Sequence, residues 1–459
     1  MFPQFDQRLR NQQLCRHYMA QALITTLQWR FDKRSVSVSN SSPKHDLPAN
    51  PSSVSPESLS MTVSTQSRLI ILSTIGLDAL GIGLVFPILP QLLQDVTGTA
   101  DIAPYIGVMA ALYALMQFIC SPVLGALSDK LGRRPILLFS LAGATINYTI
   151  MAFAPPLGLL VIGRVIAGVS SANMAVAAAY ITDVSKPADR ARNFGLISAV
   201  FGAGFIAGPV LGGVLGEVGI RLPFVAAAIL NLGNYLFTLF LLPESKNRTS
   251  GGVDFRSLNP IAPFRMVVER KRLWPIVGTY FLLSATGEAY GCCWALWGFD
   301  AFNWNGTWIG LSLSMFGICQ MMVQIFLPGL AVRKLGERRT VFLGIAGSGV
   351  ALVAMAFAEQ SWVVFAVMPL FALAGLGTPA FQAVAARQVD EACQGQLQGL
   401  LTSATSLASI FAPLGFSGLY SITRPSFPGA VWLTVLTLYL LAVPLIYLST
   451  RASPKFSAE

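Results

Sequence analysis

Twelve apolar runs, each close to the ~20 residues with which a helix crosses a bilayer, leave this chain few ways to fold. They lie near 69–92, 104–127, 135–154, 157–180, 193–216, 222–242, 273–299, 307–331, 339–358, 361–385, 396–420 and 427–448. Hydrocarbon offers the backbone no hydrogen-bond partner, so each run must be a helix that satisfies its own amides. One soluble core cannot absorb the pattern. Of 459 residues 54% are hydrophobic and 11% charged, whereas a soluble domain carries roughly a quarter charged residues. The chain is read as an all-α membrane protein.

A polar turn separates the second run from the third: Gly125-Ala-Leu-Ser-Asp129-Lys-Leu-Gly132-Arg133-Arg134-Pro135. A weaker copy, Gly329-Leu-Ala-Val-Arg-Lys-Leu-Gly336-Glu-Arg-Arg339, begins 204 residues later. Gly195-Leu196 maps onto Gly399-Leu400, and Pro209 onto Pro413, at the same offset. Such recurrence marks a duplicated chain, and halves of this kind enclose a central cavity and rock around it. The expected organisation is a disordered tail over 1–66, a six-helix bundle over 67–242, a linker over 243–272, a second six-helix bundle over 273–450, and a short tail over 451–459. The leader includes one short amphipathic stretch, Leu14–Trp29. It reads as a dispensable tail preceding Met61, with an organellar transit peptide as the alternative.

The net charge of +10 is topological. Lys130, Arg133 and Arg134 follow the second span, and Lys186, Arg190 and Arg192 the fourth. Seven basic residues follow the sixth, Arg333, Lys334, Arg338 and Arg339 the eighth, and Arg387 the tenth; the opposite loops hold Arg221 and Arg424. The positive-inside rule places the first set of loops and both termini in the cytoplasm, in a multi-pass protein of the inner membrane. Nucleic-acid binding is thereby disfavoured. Six scattered cysteines, and two histidines confined to the tail (His17 and His45), supply no metal-ligand spacing. No metal, cofactor or catalytic constellation is expected, and the chain is not read as an enzyme.

Charged and polar residues inside spans carry the functional signal. A charge near the bilayer centre costs at least ~2.5–3.5 kcal/mol, so it should face a cavity or a partner. Arg164, in Gly163-Arg164-Val-Ile-Ala-Gly168, is such a charge; the competing reading is a side chain snorkelling to the interface. Asp78 lies in the first span and Glu288 in the seventh, helices that correspond by duplication, so the two acids are expected to face each other across the cavity. A carboxyl group out of water is cheaper to hold protonated than ionised, so either can take up and release a proton as the cavity changes sides. The competing reading of Asp78 is a structural hydrogen bond. Asp300, ending the seventh span, reads as an interfacial cap, and Trp294 and Trp297 as interfacial aromatics. Tyr113, Gln117, Asn147, Tyr148, Asn173, Gln320, Gln324 and Gln382 are candidates for a cavity that hydrogen-bonds a mostly apolar molecule.

In the turn, Gly125 and Gly132 permit close approach and a sharp bend, and Asp129 can pair with Arg133 or accept from helix N-terminal amides. With Arg134, and with Asp183 just after the fourth span, these residues form a candidate gate. The fifth span carries Gly204, Gly208, Pro209, Gly212 and Gly213: glycines for close packing and a proline that bends the helix. This bent face is expected at the interface between halves.

The turn resembles the signature that members of the major facilitator superfamily carry between their second and third helices. The resemblance implies twelve helices in two pseudo-symmetric six-helix bundles. In that superfamily the fifth-span pattern resembles the antiporter signature, and Arg164 the arginine associated with proton transfer. Leu77 to Pro90, Ser128 to Pro135, Arg164 to Gly168, Gly204 to Gly213 and Gly395 to Leu401 together resemble the tetracycline-efflux branch, which exchanges a metal–tetracycline complex for a proton. The branch acids of the first helix and the turn match Asp78 and Asp129. Three positions depart from it: Asn147 and Gly347 where the branch has acids, and Gln320 where it has a histidine. The expected function is proton-coupled export of tetracycline-like or other amphipathic molecules by a monomer in the bilayer, driven by the proton gradient. The alternatives are an importer or uniporter on the same fold and a membrane receptor or scaffold.

Overall fold

The computed structural model describes residues 56–153, 156–245, 264, 267, 273–389 and 393–451. The chain divides into two units, Met1–Ser58 and Leu59–Glu459; the architecture below is that of the second. The expected tail helix Leu14–Trp29, His17, His45 and most of the 243–272 linker lie outside the described residues.

The first half comprises α1 (Pro56–Val85), α2 (Leu89–Thr97), α3 (Ala103–Leu131), α4 (Arg133–Phe153), α5 (Leu157–Val169), α6 (Asn173–Val184), α7 (Arg190–Val218) and α8 (Leu222–Leu241). The second comprises α9 (Trp274–Phe302), α10 (Gly306–Ala356), α11 (Ser361–Phe371), α12 (Gly377–Ala386), α13 (Gln394–Thr423) and α14 (Ala430–Arg451). Ten stretches are long and apolar enough to cross a membrane. One of them, α10, bends back at Gly336 and makes two crossings; α9, which carries Glu288 and Asp300, adds one more. The described residues thus hold the expected twelve crossings.

Several predicted boundaries shift. α1 begins at Pro56, so part of the segment read as disordered is helical. The first span breaks at Phe86-Pro87-Ile88, where Pro87 has no amide to donate. The fourth breaks between Val169 and Asn173, with Ser170 Oγ turned back onto Ile166 O at 2.8 Å. The tenth passes through a 3-10 turn, Ala372–Leu376. Broken helices are tolerated at membrane depth where they line a cavity or are covered by protein.

The duplication is visible in the backbone. Gly132 has φ 102° and Gly336, 204 residues later, φ 78°. Both end a span with a reversal that a residue bearing a Cβ adopts only with strain. Inside the second half an aromatic core forms around Trp294, Trp297 and Trp432, each at most 1% exposed. Trp294 and Trp297 stand 5.5 Å apart and both contact Trp432, and Trp294 Nε1 donates to Ser312 Oγ at 2.8 Å. They are therefore not interfacial aromatics: the bundle covers this face of α9, while Phe299 beside them stays exposed.

The fifth-span glycines correct a second expectation. Cβ atoms on Gly204, Gly208 and Gly212 would stand 2.6 Å from Gly76 O, 2.7 Å from Gly83 Cα and 2.7 Å from the Leu84 carbonyl carbon. All three neighbours belong to α1 of the same half. Spaced by four, the three glycines line one face of α7. Pro209 and Gly213 lie on the adjacent face, and only these two meet the other half.

Candidate functional site

A polar centre lies inside the first half. The break between α5 and α6 makes Asn173 the first residue of the second segment, and its side chain sits beside the half-buried Asp78 carboxyl of α1. Tyr113 of α3 and Tyr148 of α4 lie within electrostatic reach of both Asp78 and Arg164. Gly81, one turn from Asp78, makes room for Tyr148: a Cβ there would stand 3.7 Å from the tyrosine hydroxyl and 2.7 Å from Asn231 Nδ2. Asn147, also on α4, is buried, with its Oδ1 3.2 Å from where a Gly163 Cβ would be. Five helical segments thus bring Asp78, Tyr113, Asn147, Tyr148, Arg164 and Asn173 together. Arg164 does not snorkel; it points among the tyrosines of its own bundle.

In the second half, Glu288 accepts from Ser409 Oγ at 2.5 Å, and Ser284 bonds Thr405 at 3.1 Å one turn away. These bonds join α9 to α13. The other expected cavity residues disperse. Gln320 packs against Gly375, its Cδ 3.0 Å from a Cβ placed there. Gln117 and Gln324 are exposed. Gln382 bonds Gln398 at 3.1 Å near the basic end of the bundle. At Gly347 the leucines Leu373 and Leu370 occupy the space, 2.7 and 3.5 Å from where a Cβ would be.

The candidate gate is charged and closes within one half. Arg133, with 9% of its side chain exposed, pairs with Asp129 at 2.7 Å and Asp183 at 3.0 Å, and donates to Ser128 Oγ at 2.7 Å. The acids are less buried than the arginine, Asp129 at 57% and Asp183 at 25% exposed, so the pairs are worth less than a fully buried one. Glu244 completes the gate, accepting from Arg133 N at 2.8 Å and Arg134 N at 3.2 Å, while the Arg134 guanidinium reaches Leu239 O. Sequence reasoning missed Glu244, whose partners lie 110 and 111 positions away. Gly125 is the exception in the gate: nothing stands within 4 Å of its Cβ position.

The contacts between halves gather at the end opposite the basic turns. Gly310 of α10 would place a Cβ 2.8 Å from the Pro209 carbonyl carbon, and Gly107 of α3 one 2.8 Å from Pro413 O. These are duplicate crossings, since Pro209 and Pro413 correspond by the 204-residue offset. Ser314 donates to Ile206 O. Beyond them, Arg424 pairs with Asp300 at 2.7 Å, reaches Asp101 at 3.9 Å and donates to Ala100 O at 2.7 Å. Ser421 bonds Asp101, and Tyr420 donates to Asp300 at 2.7 Å. Asp300 is therefore part of a latch between halves and not a helix cap. Its one sequence signal was Arg424, one of two basic residues in that set of loops.

A model of the Major Facilitator Superfamily matches residues 71–299 and 290–459. The class C tetracycline resistance protein of Escherichia coli is 45% identical over 381 residues, covering 83% of this chain and 96% of its own. The class G tetracycline resistance protein of Vibrio anguillarum is 43% identical, covering 83% and 97%. The chain belongs to the major facilitator superfamily, in its tetracycline-efflux branch. Among solved structures the nucleoside transporter NupG is similar in fold, with a TM-score of 0.72 at 16% identity over 84% of this chain and 99% of that one. Within this major facilitator, α7 sets its glycine face against α1 of its own half, and Gly213 of that motif reaches Gly306 of the other half. Among the described residues no group of three or more His, Cys, Asp or Glu could hold a metal ion.

Proposed function

We propose that this membrane transporter is a proton-coupled antiporter that exports tetracycline-like amphipathic molecules, with the basic turns facing the cytoplasm. One observation carries the reading: a carboxyl group at mid-span, Asp78, sits against a helix break and among tyrosines, in a bundle that is tied to its partner at one end only. A transporter needs such a group where both cargo and proton can reach it in turn. By the positive-inside rule the unpaired end of the interface faces the cytoplasm, from which cargo would enter. Protonation of Asp78 from the other side would then return the protein for another cycle. Glu288, held by Ser409, is the second proton-binding candidate.

The test is drug accumulation by everted membrane vesicles under an imposed pH gradient. Asp78→Asn is expected to abolish gradient-driven accumulation while the protein still purifies as a monodisperse species; accumulation equal to the parent would remove Asp78 from the mechanism. Glu288→Gln is expected to lower the rate. Reversing the gradient in proteoliposomes separates export from import: an importer would load where this protein unloads.

A further inference from the structure

Among the buried polar atoms of the first half that have no partner among the described residues are Arg164 Nε on α5, Asn147 Oδ1 on α4 and Asn173 Oδ1 on α6. Arg164 joins no ion pair among those residues, and its polar neighbours Tyr113 and Tyr148 are neutral side chains. The next residue back, Gly163, brings Arg164's helix against Asn147. The break between Val169 and Asn173 separates Arg164 from Asn173. An intramembrane cation held in no direct ion pair, and amide oxygens without donors, are costly to retain unless a ligand completes them.

We infer that this polar centre recognises its cargo as an oxyanion flanked by hydrogen-bond donors, without a divalent cation as intermediary. The inference rests on the export reading and names the substrate class for it. Complementarity fixes the chemistry. Arg164 takes an ionised enol, phenol or carboxyl oxygen. Asn147 and Asn173 take hydroxyl or amide hydrogens beside it. The faces of Tyr113 and Tyr148 take the apolar, ring-bearing frame. A cationic chelate would instead meet Arg164 with like charge, and Asp78 is the lone carboxylate of the cluster.

The experiment uses the purified full-length protein in detergent, with tetracycline as the probe; its ionised enol is flanked by amide and hydroxyl groups. Binding is measured once with a chelator present and once with saturating magnesium. Expected is binding in chelator that magnesium does not tighten. Arg164→Gln should weaken it about tenfold or more, the loss of a charge-assisted bond, and Arg164→Lys by less. Asn147→Asp, which supplies an internal counter-charge to Arg164, should weaken it too. Thermal unfolding of each variant shows that it is folded, and a misfolded Arg164→Gln leaves the lysine and aspartate variants to decide. Unchanged affinity in the folded variants, binding that requires magnesium, or no binding in either buffer overturns the inference. Failure of the export reading is seen separately, as wild-type proteoliposomes that bind the probe but do not move it against a pH gradient.

Discussion

The two ends of the interface between halves are made of the same helices and much the same residues, yet they behave oppositely. At the far end, glycines Gly107, Gly213 and Gly310 press against backbone of the other half. At the basic end, Gly125, Gly195, Gly202, Gly329 and Gly395 on those same helices have nothing within 4 Å of their Cβ positions. The charges differ in the same sense. Arg424 ties one half to the other through Asp101 and Ala100, whereas Arg133 is spent on Asp129 and Asp183 within its own half. Small residues therefore license a close approach without enforcing one. What is packed at one end and free at the other is what a rocking mechanism requires, because a contact that never opens cannot alternate.

Six substitutions, in four groups, probe that contrast. The largest effect is expected from Arg133→Ala at the basic end, which leaves Asp183 and Asp129 without their shared cation in a partly buried site. Stability should fall by about 1.5–3 kcal/mol, the scale of a charge-assisted hydrogen bond, read as a lowered thermal midpoint in detergent. If the midpoint holds, the basic end is not secured within its half as described. Next come Gly213→Ala and Gly310→Ala at the far end. Each methyl meets carbonyl backbone of the other half, and overpacking costs about 1–3 kcal/mol; the same assay reads it. Equal stability would mean that the halves separate there at little cost.

Arg424→Ala follows. Loss of its charge-assisted bonds, about 1.5–3 kcal/mol each in gross terms and reduced by the exposure of this end, should loosen the latch rather than unfold the protein. The measure is labelling of Gln91→Cys, which lines the space beside Asp300 and Arg424, by a membrane-impermeant maleimide above the level set by the native cysteines. Labelling should rise; no rise would show that the glycine crossings alone keep this end shut. The smallest effect on stability belongs to Gly125→Ala and Gly202→Ala. With open space around them and better helix propensity, they should gain up to ~1 kcal/mol. Transport should nevertheless slow if the basic end closes over these glycines during the cycle; unaffected turnover would place the closing contact elsewhere.

Much of this was readable from residues alone because lipid removes alternatives. Twelve runs of bilayer length had to be helices, and a polar turn repeated after 204 residues had to mean two related halves. Gly132 and Gly336 then carry the same reversed backbone in both. The Asp129–Arg133 pair was legible because the two are four residues apart, a spacing that a helical turn brings together. Glu244, Tyr148 beside Gly81, and the link between Asp101 and Arg424 were harder to see, since their partners lie far along the chain.

The sequence by itself determined the span count, the duplication, and the residue types that can carry charge within the membrane, since hydrophobicity and period act locally. Tertiary structure alone decided which glycine faces its own half and which the other, that Trp294 and Trp297 are core, that Asp300 is a latch, and that Arg164 joins no ion pair among the described residues. Each of these depends on what another helix brings to the same point, and helix packing in lipid is set by contacts between surfaces that no single stretch of chain contains.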